Sequence, residues 1–256
     1  MVSFPSKPLG IKNYGHIPHL PGSRVGPGDH HCDPGQARIA TNTARDRHDT
    51  VIVLEKLDGS NVGVARVDGT IHPLNRAGYL ATSSPCEQHR LFAEWAYANQ
   101  SRFLAVLHDG ERLCGEWLAQ AHGTRYELRH EPFVAFDLMI GTKRRPYDEL
   151  VERTENGGFV TPALIHRGRP AGIEEVITRL GARGFHGALD PVEGAVWRVE
   201  RRELVRPGKS SERRTVVDFV VKYVRPDKVD GCYLPEFNGG RSHWNWKSFQ
   251  KRGRQS

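Results

Sequence analysis

Apolar and polar positions alternate too irregularly to define elements over the first fifth of this chain, and then settle into short, clearly patterned blocks. From Phe4 to Asp49 Pro, Gly and His recur without periodicity, so residues 1–49 read as an extended or looping N-terminal arm. Thr50 to Leu54 is β-branched and apolar on both faces, which predicts a buried strand. Asp58-Gly59-Ser60-Asn61 is turn chemistry, and Asn61 to Val67 resumes as a strand. Asp68-Gly69 then predicts a hairpin turn into Thr70 to Leu74, so that the three strands are expected to form an antiparallel meander.

Further on, Ser84 reads as a helix N-cap with Pro85 at the first position and Glu87 three residues after the cap, followed by Leu91, Trp95 and Ala98 at helical spacing. Asp109-Gly110 predicts a second hairpin leading into Arg112 to Leu118, and Phe133 to Ile140 is another mainly apolar strand. Ile173, Val176, Ile177 and Leu180 mark an amphipathic helix. Gly194 to Val199 and Thr215 to Val224 supply later strands, bridged by a charged segment from Glu200 to Arg214. The expected class is α+β, with antiparallel sheets flanked by helices. No repeat or low-complexity linker divides the chain, so residues 1–240 read as one domain with 241–256 as a tail.

Composition adds limits. At 256 residues with 38% hydrophobic content and a mean hydropathy of −0.57, the chain can fill one sizeable domain and has no run of roughly 20 apolar residues to span a bilayer. Met1 to Gly10 lacks the apolar core of a secretory signal, so a cytoplasmic location is expected. Cys32, Cys86, Cys114 and Cys232 lack paired spacing and read as reduced thiols. His30, His31 and Cys32 are adjacent, with His16, His19 and His48 nearby; without two ligand pairs at short spacing they read as polar loop residues rather than a zinc site.

A formal net charge of +7 suits a polyanionic partner. Between Arg241 and Ser256 there are five Lys or Arg residues and no acidic one, interleaved with Trp244, Trp246 and Phe249. The stretch reads first as aromatics pinning a terminus onto the domain, and second as phosphate pairing with base stacking.

The densest chemistry lies in Lys56-Leu57-Asp58-Gly59-Ser60-Asn61. A lysine where a buried strand meets a tight turn is fixed to rigid backbone and partly withdrawn from water, conditions that lower an ammonium pKa and make the amine a nucleophile. The isolated pattern is also found at ordinary surface turns, so its neighbours along the chain decide the reading.

Those neighbours resemble the covalent nucleotidyltransferases, the superfamily of ATP-dependent DNA ligases, RNA ligases and messenger RNA capping enzymes. Lys56 to Asn61 is similar to its first motif; Arg76 in Asn75-Arg76-Ala77-Gly78, Gly115-Glu116-Trp117, Phe136 in Ala135-Phe136-Asp137, Glu193-Gly194 and Lys222 follow in family order across residues 56–222. The resemblance implies a nucleotidyltransferase (adenylation) domain with an ATP cleft between its sheets. It makes Lys56 the nucleophile that becomes adenylated, Glu116 a partner of the ribose hydroxyls and Phe136 the ring stacked on adenine. Arg76 meets the nucleotide and the incoming strand end, and Lys222 meets the phosphate. Mg²⁺ would be held by Glu193, with Glu116 through water.

Gly115 to Tyr126 together with Phe136-Asp137-Leu138 resembles the RNA ligase branch that includes phage double-strand-sealing and trypanosome editing ligases. That implies an ATP-dependent RNA ligase joining 5′-phosphate and 3′-hydroxyl ends, with RNA as partner. The alternatives are a DNA nick ligase without an OB domain and an inactive module that binds nucleic-acid ends. The branch carries two motif V lysines two residues apart, whereas Lys222 has Val220 and Val224 at that distance and Arg225 as the nearest basic substitute toward the strand. Only 34 residues follow Lys222, too few for a separate OB domain, which leaves strand clamping to the tail, the arm or a partner protein.

Overall fold

The computed structural model describes residues 7–204 and 213–246. They form two compact units, each assembled from separate stretches of chain: residues 7–15, 58–161 and 230–246 in the first, and 16–57 with 162–229 in the second, the residues outside the described set apart. Discontinuity explains why no linker composition marks the division. The α+β class with antiparallel sheets and flanking helices is as expected.

The second unit is built on a four-stranded antiparallel sheet of order β7-β1-β8-β9, with β1 Asp49–Lys56, β7 Leu164–Gly168, β8 Gly194–Leu204 and β9 Arg213–Val224. Val51, Val53, Ala195, Trp197, Val199 and Val221 share one face of it. They pack with Ala37, Ile39 and Ala40 of α1 (Pro34–Thr41) and Val176 of α5 (Ile173–Leu180). Alternation along each strand therefore places Leu54, Lys56, Val196 and Lys222 on the opposite face.

The first unit carries a five-stranded antiparallel sheet of order β3-β2-β4-β5-β6, comprising β2 Ser60–Val67, β3 Thr70–Asn75, β4 Glu111–Trp117, β5 Phe133–Ile140 and β6 Lys143–Arg144. Helices α2 (Glu87–Ala98), α3 (Gln100–Val106) and α4 (Tyr147–Asn156) accompany it. Its core is aromatic: Phe92, Trp95, Phe103, Trp117, Phe133 and Phe159 contact one another at ring separations of 4.6 to 6.4 Å. The Asp68-Gly69 turn between β2 and β3 is the expected hairpin, with φ of 50° and 74°.

Several expectations need correction. The predicted meander is broken after its first strand: both edges of β1 are taken by β7 and β8, so β2 pairs with β3 and β4 in the other sheet. The arm contains a helix, α1, because Asp33 accepts the Gly35 amide at 2.7 Å while Gln36 accepts the Asp33 amide, a capping box with Pro34 inside it. Helix α2 starts later than expected, with Cys86 rather than Ser84 at the N-cap; the Ser84 hydroxyl accepts the Cys86 amide and meets Nδ1 of His89 at 2.8 Å. Asp109-Gly110 is no hairpin: helix α3 precedes it, since Phe103, Val106 and Leu107 repeat at helical spacing and are all buried. The two ends of the charged bridge from Glu200 to Arg214 are strand, where β8 runs on to Leu204 and β9 begins at Arg213. Arg201 is held there by Asp46 and Asp49, so its charge is compatible with extended backbone; residues 205–212 lie outside the described set.

Candidate active site

Lys56 closes β1 directly opposite Gly194, the first residue of β8, and Glu193 immediately precedes that glycine. Nζ of Lys56 donates to Oε2 of Glu193 at 2.6 Å, and both side chains are mostly buried. Gly194 is required by packing: its φ is 156°, and a Cβ there would collide with the Tyr223 carbonyl oxygen of β9. Close approach of the strands thus fixes the Glu193 backbone, whose carbonyl accepts the Arg225 amide at 2.9 Å.

Lys222 lies on β9 opposite Val196, on the same sheet face as Lys56. Its ammonium is 3.6 Å from Oδ1 of Asp29, whose Oδ2 is bound by Nε2 of His19 at 2.9 Å. His19 is buried; burial first, then the positive charges of Lys222 and Lys56, lower its pKa below the ordinary histidine value. Burial opposes the Asp29 carboxylate, but Lys222, His19 and the Gly26 amide outweigh it and hold its pKa below the usual range. A bulge in β9 between the partners of Val199 and Glu200 takes Asp218 out of the alternation that Val220, Lys222 and Val224 share, and the Asp218 carboxylate is bound by Arg45. Arg225 is paired with Asp227 at 3.0 Å.

Asp58, Gly59, Glu116, Phe136 and Arg76 belong to the first unit. The Asp58 carboxylate is buried and accepts from the Gly123 amide and the Thr124 hydroxyl, while its own amide donates to the Tyr126 hydroxyl at 3.0 Å. Gly59 donates its amide to Oε1 of Glu116 at 3.0 Å, and no side chain fits at Gly59, because a Cβ would lie 2.6 Å from the Trp117 carbonyl. In β5 the residues Asp137 and Ala135 pair with consecutive Cys114 and Gly115, which leaves Phe136 as the extra residue of a bulge. Such a bulge re-aims a side chain. The half-buried Phe136 ring meets Tyr14 edge-on at 5.0 Å. The Tyr14 hydroxyl donates to Asp137, which Arg144 also binds. Arg76 is exposed in the turn after β3, and its carbonyl accepts the Tyr14 amide.

The sequence model of the RNA ligase family matches residues 49–224, more than two thirds of the chain. The chain belongs to the RNA ligase family. Members and relatives of that family also recur among similar solved structures. An archaeal ATP-dependent RNA ligase is 22% identical, with 69% of this chain and 43% of that one covered and a TM-score of 0.45. A lysine-to-alanine variant of Naegleria gruberi RNA ligase with ATP and Mn is 18% identical, covering 70% and 50%, with a TM-score of 0.46. A second such variant is 17% identical, covering 88% and 61%, with a TM-score of 0.49. The chain spans about half the length of the first two. Comparison with curated proteins finds no match.

Within this RNA ligase family member, the fold brings Lys56 together with Glu193 and sets Lys222 on their face of the sheet, whereas Arg225 is taken up by Asp227. Sequence reading passed over Asp29 and Tyr14 and took His19 for a polar loop residue; none of them has a recognisable motif, and Asp29 meets Lys222 and Tyr14 meets Asp137 only across distant parts of the chain. Among the described residues no cluster of three or more His, Cys, Asp or Glu side chains could hold a metal, and His19 and Cys32 are spent on the Asp29 contact and on the core. The four cysteines are free thiols. No helix among the described residues is long and apolar enough to cross a membrane. The described part of the tail is pinned: the Asn245 side chain donates to the Leu118 carbonyl and accepts the Tyr126 amide, and Trp246 meets Trp117 edge-on at 5.9 Å. Phe249 and the last basic residues lie outside the described set.

Proposed function

We propose that this protein is an ATP-dependent RNA ligase that joins 5′-phosphate and 3′-hydroxyl ends through an adenylate carried on Lys56. The observation that carries the reading is the 2.6 Å contact between Nζ of Lys56 and Glu193 on the sheet face that also holds Lys222, in a chain of the RNA ligase family. The Lys56 amine attacks the α-phosphorus of ATP. A nitrogen–phosphorus bond forms, the bond to the bridging oxygen of the β-phosphate breaks, pyrophosphate leaves with the electron pair, and the amine gives up a proton. An oxygen of a 5′-phosphate then takes the adenylate as the nitrogen–phosphorus bond breaks and the lysine amine is regenerated; attack on that 5′-phosphate by a 3′-hydroxyl, which gives up its proton, forms the phosphodiester as the bond to AMP breaks.

Each residue has a part in that scheme. Glu193 orients the amine, and Lys222 offsets charge gathering on the phosphates in the transition state. In the first unit, Phe136 takes the adenine, Glu116 the ribose hydroxyls and Arg76 the nucleotide and the strand end. A carboxylate donor such as Glu193 suits Mg²⁺, which is generally held by one or two carboxylates plus phosphate oxygens rather than by an all-protein cage. Mg²⁺, when bound, neutralises charge on the triphosphate.

Incubation with α-labelled ATP and Mg²⁺ tests the first step: label should become covalently attached to the wild-type chain and not to Lys56→Ala. A panel of 5′-phosphorylated RNA and DNA nicks tests the rest, with RNA expected to be sealed faster. Faster sealing of DNA would replace RNA by DNA as the substrate, equal sealing would remove the preference for RNA, and the absence of any protein-bound label would remove the ligase reading. GTP in the same panel tests the choice of base.

A further inference from the structure

The N-terminal arm lies along the outer edge of β9 at the position of the motif V lysine. The Lys222 amide donates to the Pro18 carbonyl at 3.0 Å, and the Leu20 amide donates to the Lys222 carbonyl at 2.8 Å. Two residues on, the Arg24 amide donates to the Val224 carbonyl, and the Val224 amide donates to the Ser23 hydroxyl oxygen. The arm therefore covers this strand edge and fixes the backbone on both sides of Lys222.

Its side chains continue the arrangement. Nδ1 of His19 is 2.7 Å from the Ser23 hydroxyl, and Nε2 is 2.9 Å from Oδ2 of Asp29. With a neutral ring, one donor direction satisfies the whole chain: the Val224 amide to Ser23, the Ser23 hydroxyl to Nδ1, and Nε2–H to the Asp29 carboxylate. The lowered pKa of buried His19 keeps that ring neutral near physiological pH. Asp29 is then held by His19 at one oxygen and faces the Lys222 ammonium with the other, 3.6 Å away; His16 and the Gly26 amide are its remaining neighbours.

We infer that Asp29, oriented by His19, is a positioning residue that fixes the direction of the Lys222 ammonium for phosphate contact. The inference rests on the ligase reading above and deepens it, assigning part of the adenylation machinery to a segment without a nucleotidyltransferase motif. A flexible lysine approaching a phosphate from solution would lose side-chain freedom during the step. A lysine already aimed by a carboxylate has lost it beforehand, and misplacement of a group by about 1 Å can cost on the order of 100-fold in rate.

The test is single-turnover formation of the protein-bound adenylate by the full chain, with ATP affinity measured separately. Wild type, Asp29→Asn, Asp29→Ala, Asp29→Glu, Lys222→Ala and the Asp29→Asn, Lys222→Ala double variant are compared, each with a thermal melt. Asp29→Asn and Asp29→Ala should slow the step about 10- to 100-fold while ATP affinity changes by less than about 3-fold. Asp29→Glu, which keeps the charge, should recover part of the rate. In the Lys222→Ala background Asp29→Asn should have no further effect, because the two groups act as one. A wild-type rate in Asp29→Asn, or the same slowing whether or not Lys222 is present, overturns the inference. If Asp29→Ala fails to fold, the near-isosteric Asn variant carries the test. A wild-type chain that forms no adenylate defeats the ligase reading itself and is thereby told apart from failure of the positioning role alone.

Discussion

Lys56 and Gly194 face each other across the paired ends of β1 and β8, and it is this register that delivers the Glu193 carboxylate to the Lys56 amine at 2.6 Å. A glycine is needed at the pairing position because β9 passes too close for a Cβ. The contact is therefore set by three strands rather than by the two side chains that make it.

Substitution at Lys56 should separate charge from nucleophilicity. Lys56→Arg keeps a cation beside Glu193 but has no amine for attack, so labelled ATP should leave no protein-bound adenylate while the melting temperature stays within a few degrees of wild type. Glu193→Gln should retain the nucleophile and slow adenylate formation by about 100-fold, the usual scale for removing one charged or donor group that acts on a transition state. Retained label on Lys56→Arg would sink the assignment.

Gly194→Ala should destabilise the second unit. The new methyl group meets the Tyr223 carbonyl and the backbone of Val224, which cannot yield without parting β8 from β9. A loss of about 2 kcal/mol or more in denaturant unfolding is expected, with adenylate formation falling alongside it. Unchanged stability would show that the strand ends are looser than described.

Glu55 gives a pH signature independent of catalysis. It neighbours Lys56 on β1 but points to the other face; it is 2% exposed, with its Oε2 accepting the Phe185 amide and its Oε1 without a hydrogen-bond partner among the described residues. Burial raises its pKa from 4.5 to about 7, the Phe185 amide opposing the shift. Because the folded value is the higher, the stabilisation is present in full below about pH 4.5 and is lost as pH rises through about 7. The loss is on the order of 3 kcal/mol. Glu55→Gln should remove this component, so its denaturant midpoint at pH 8 should exceed that of wild type and change less between pH 5 and 8. A wild-type profile in the variant would refute the buried-acid account.

Tyr14→Phe should keep the edge contact with Phe136 while deleting the hydroxyl that donates to buried Asp137. Arg144 still binds that carboxylate, so a moderate cost of about 1–3 kcal/mol is expected. Equilibrium unfolding measures it. Adenylate formation should retain most of its rate, since the ring that supports Phe136 remains.

Much of the fold was legible in the sequence where a strong local pattern coincided with strong turn chemistry. The Asp68-Gly69 hairpin, the strand Phe133–Ile140 and the helix Ile173–Leu180 follow from alternation, helical spacing and the left-handed turn residues between them. Helix α1 was not read from the sequence, although Asp33-Pro34-Gly35-Gln36 spells its capping box, because the Pro and Gly content around it reads as loop. The bulge that re-aims Phe136 was not legible, because an extra residue in β5 is defined only by its pairing with β4.

By itself the sequence determined the fold class, the strongly patterned local elements and the family, since periodicity, turn preference and motif order are properties of neighbouring positions. Tertiary structure alone decided that β1 and β2 part into different sheets, that Glu193 reaches Lys56, and that Asp29 and His19 stand against Lys222. Those outcomes depend on which strand edges are already occupied and on contacts between residues more than a hundred positions apart, and no local rule encodes either.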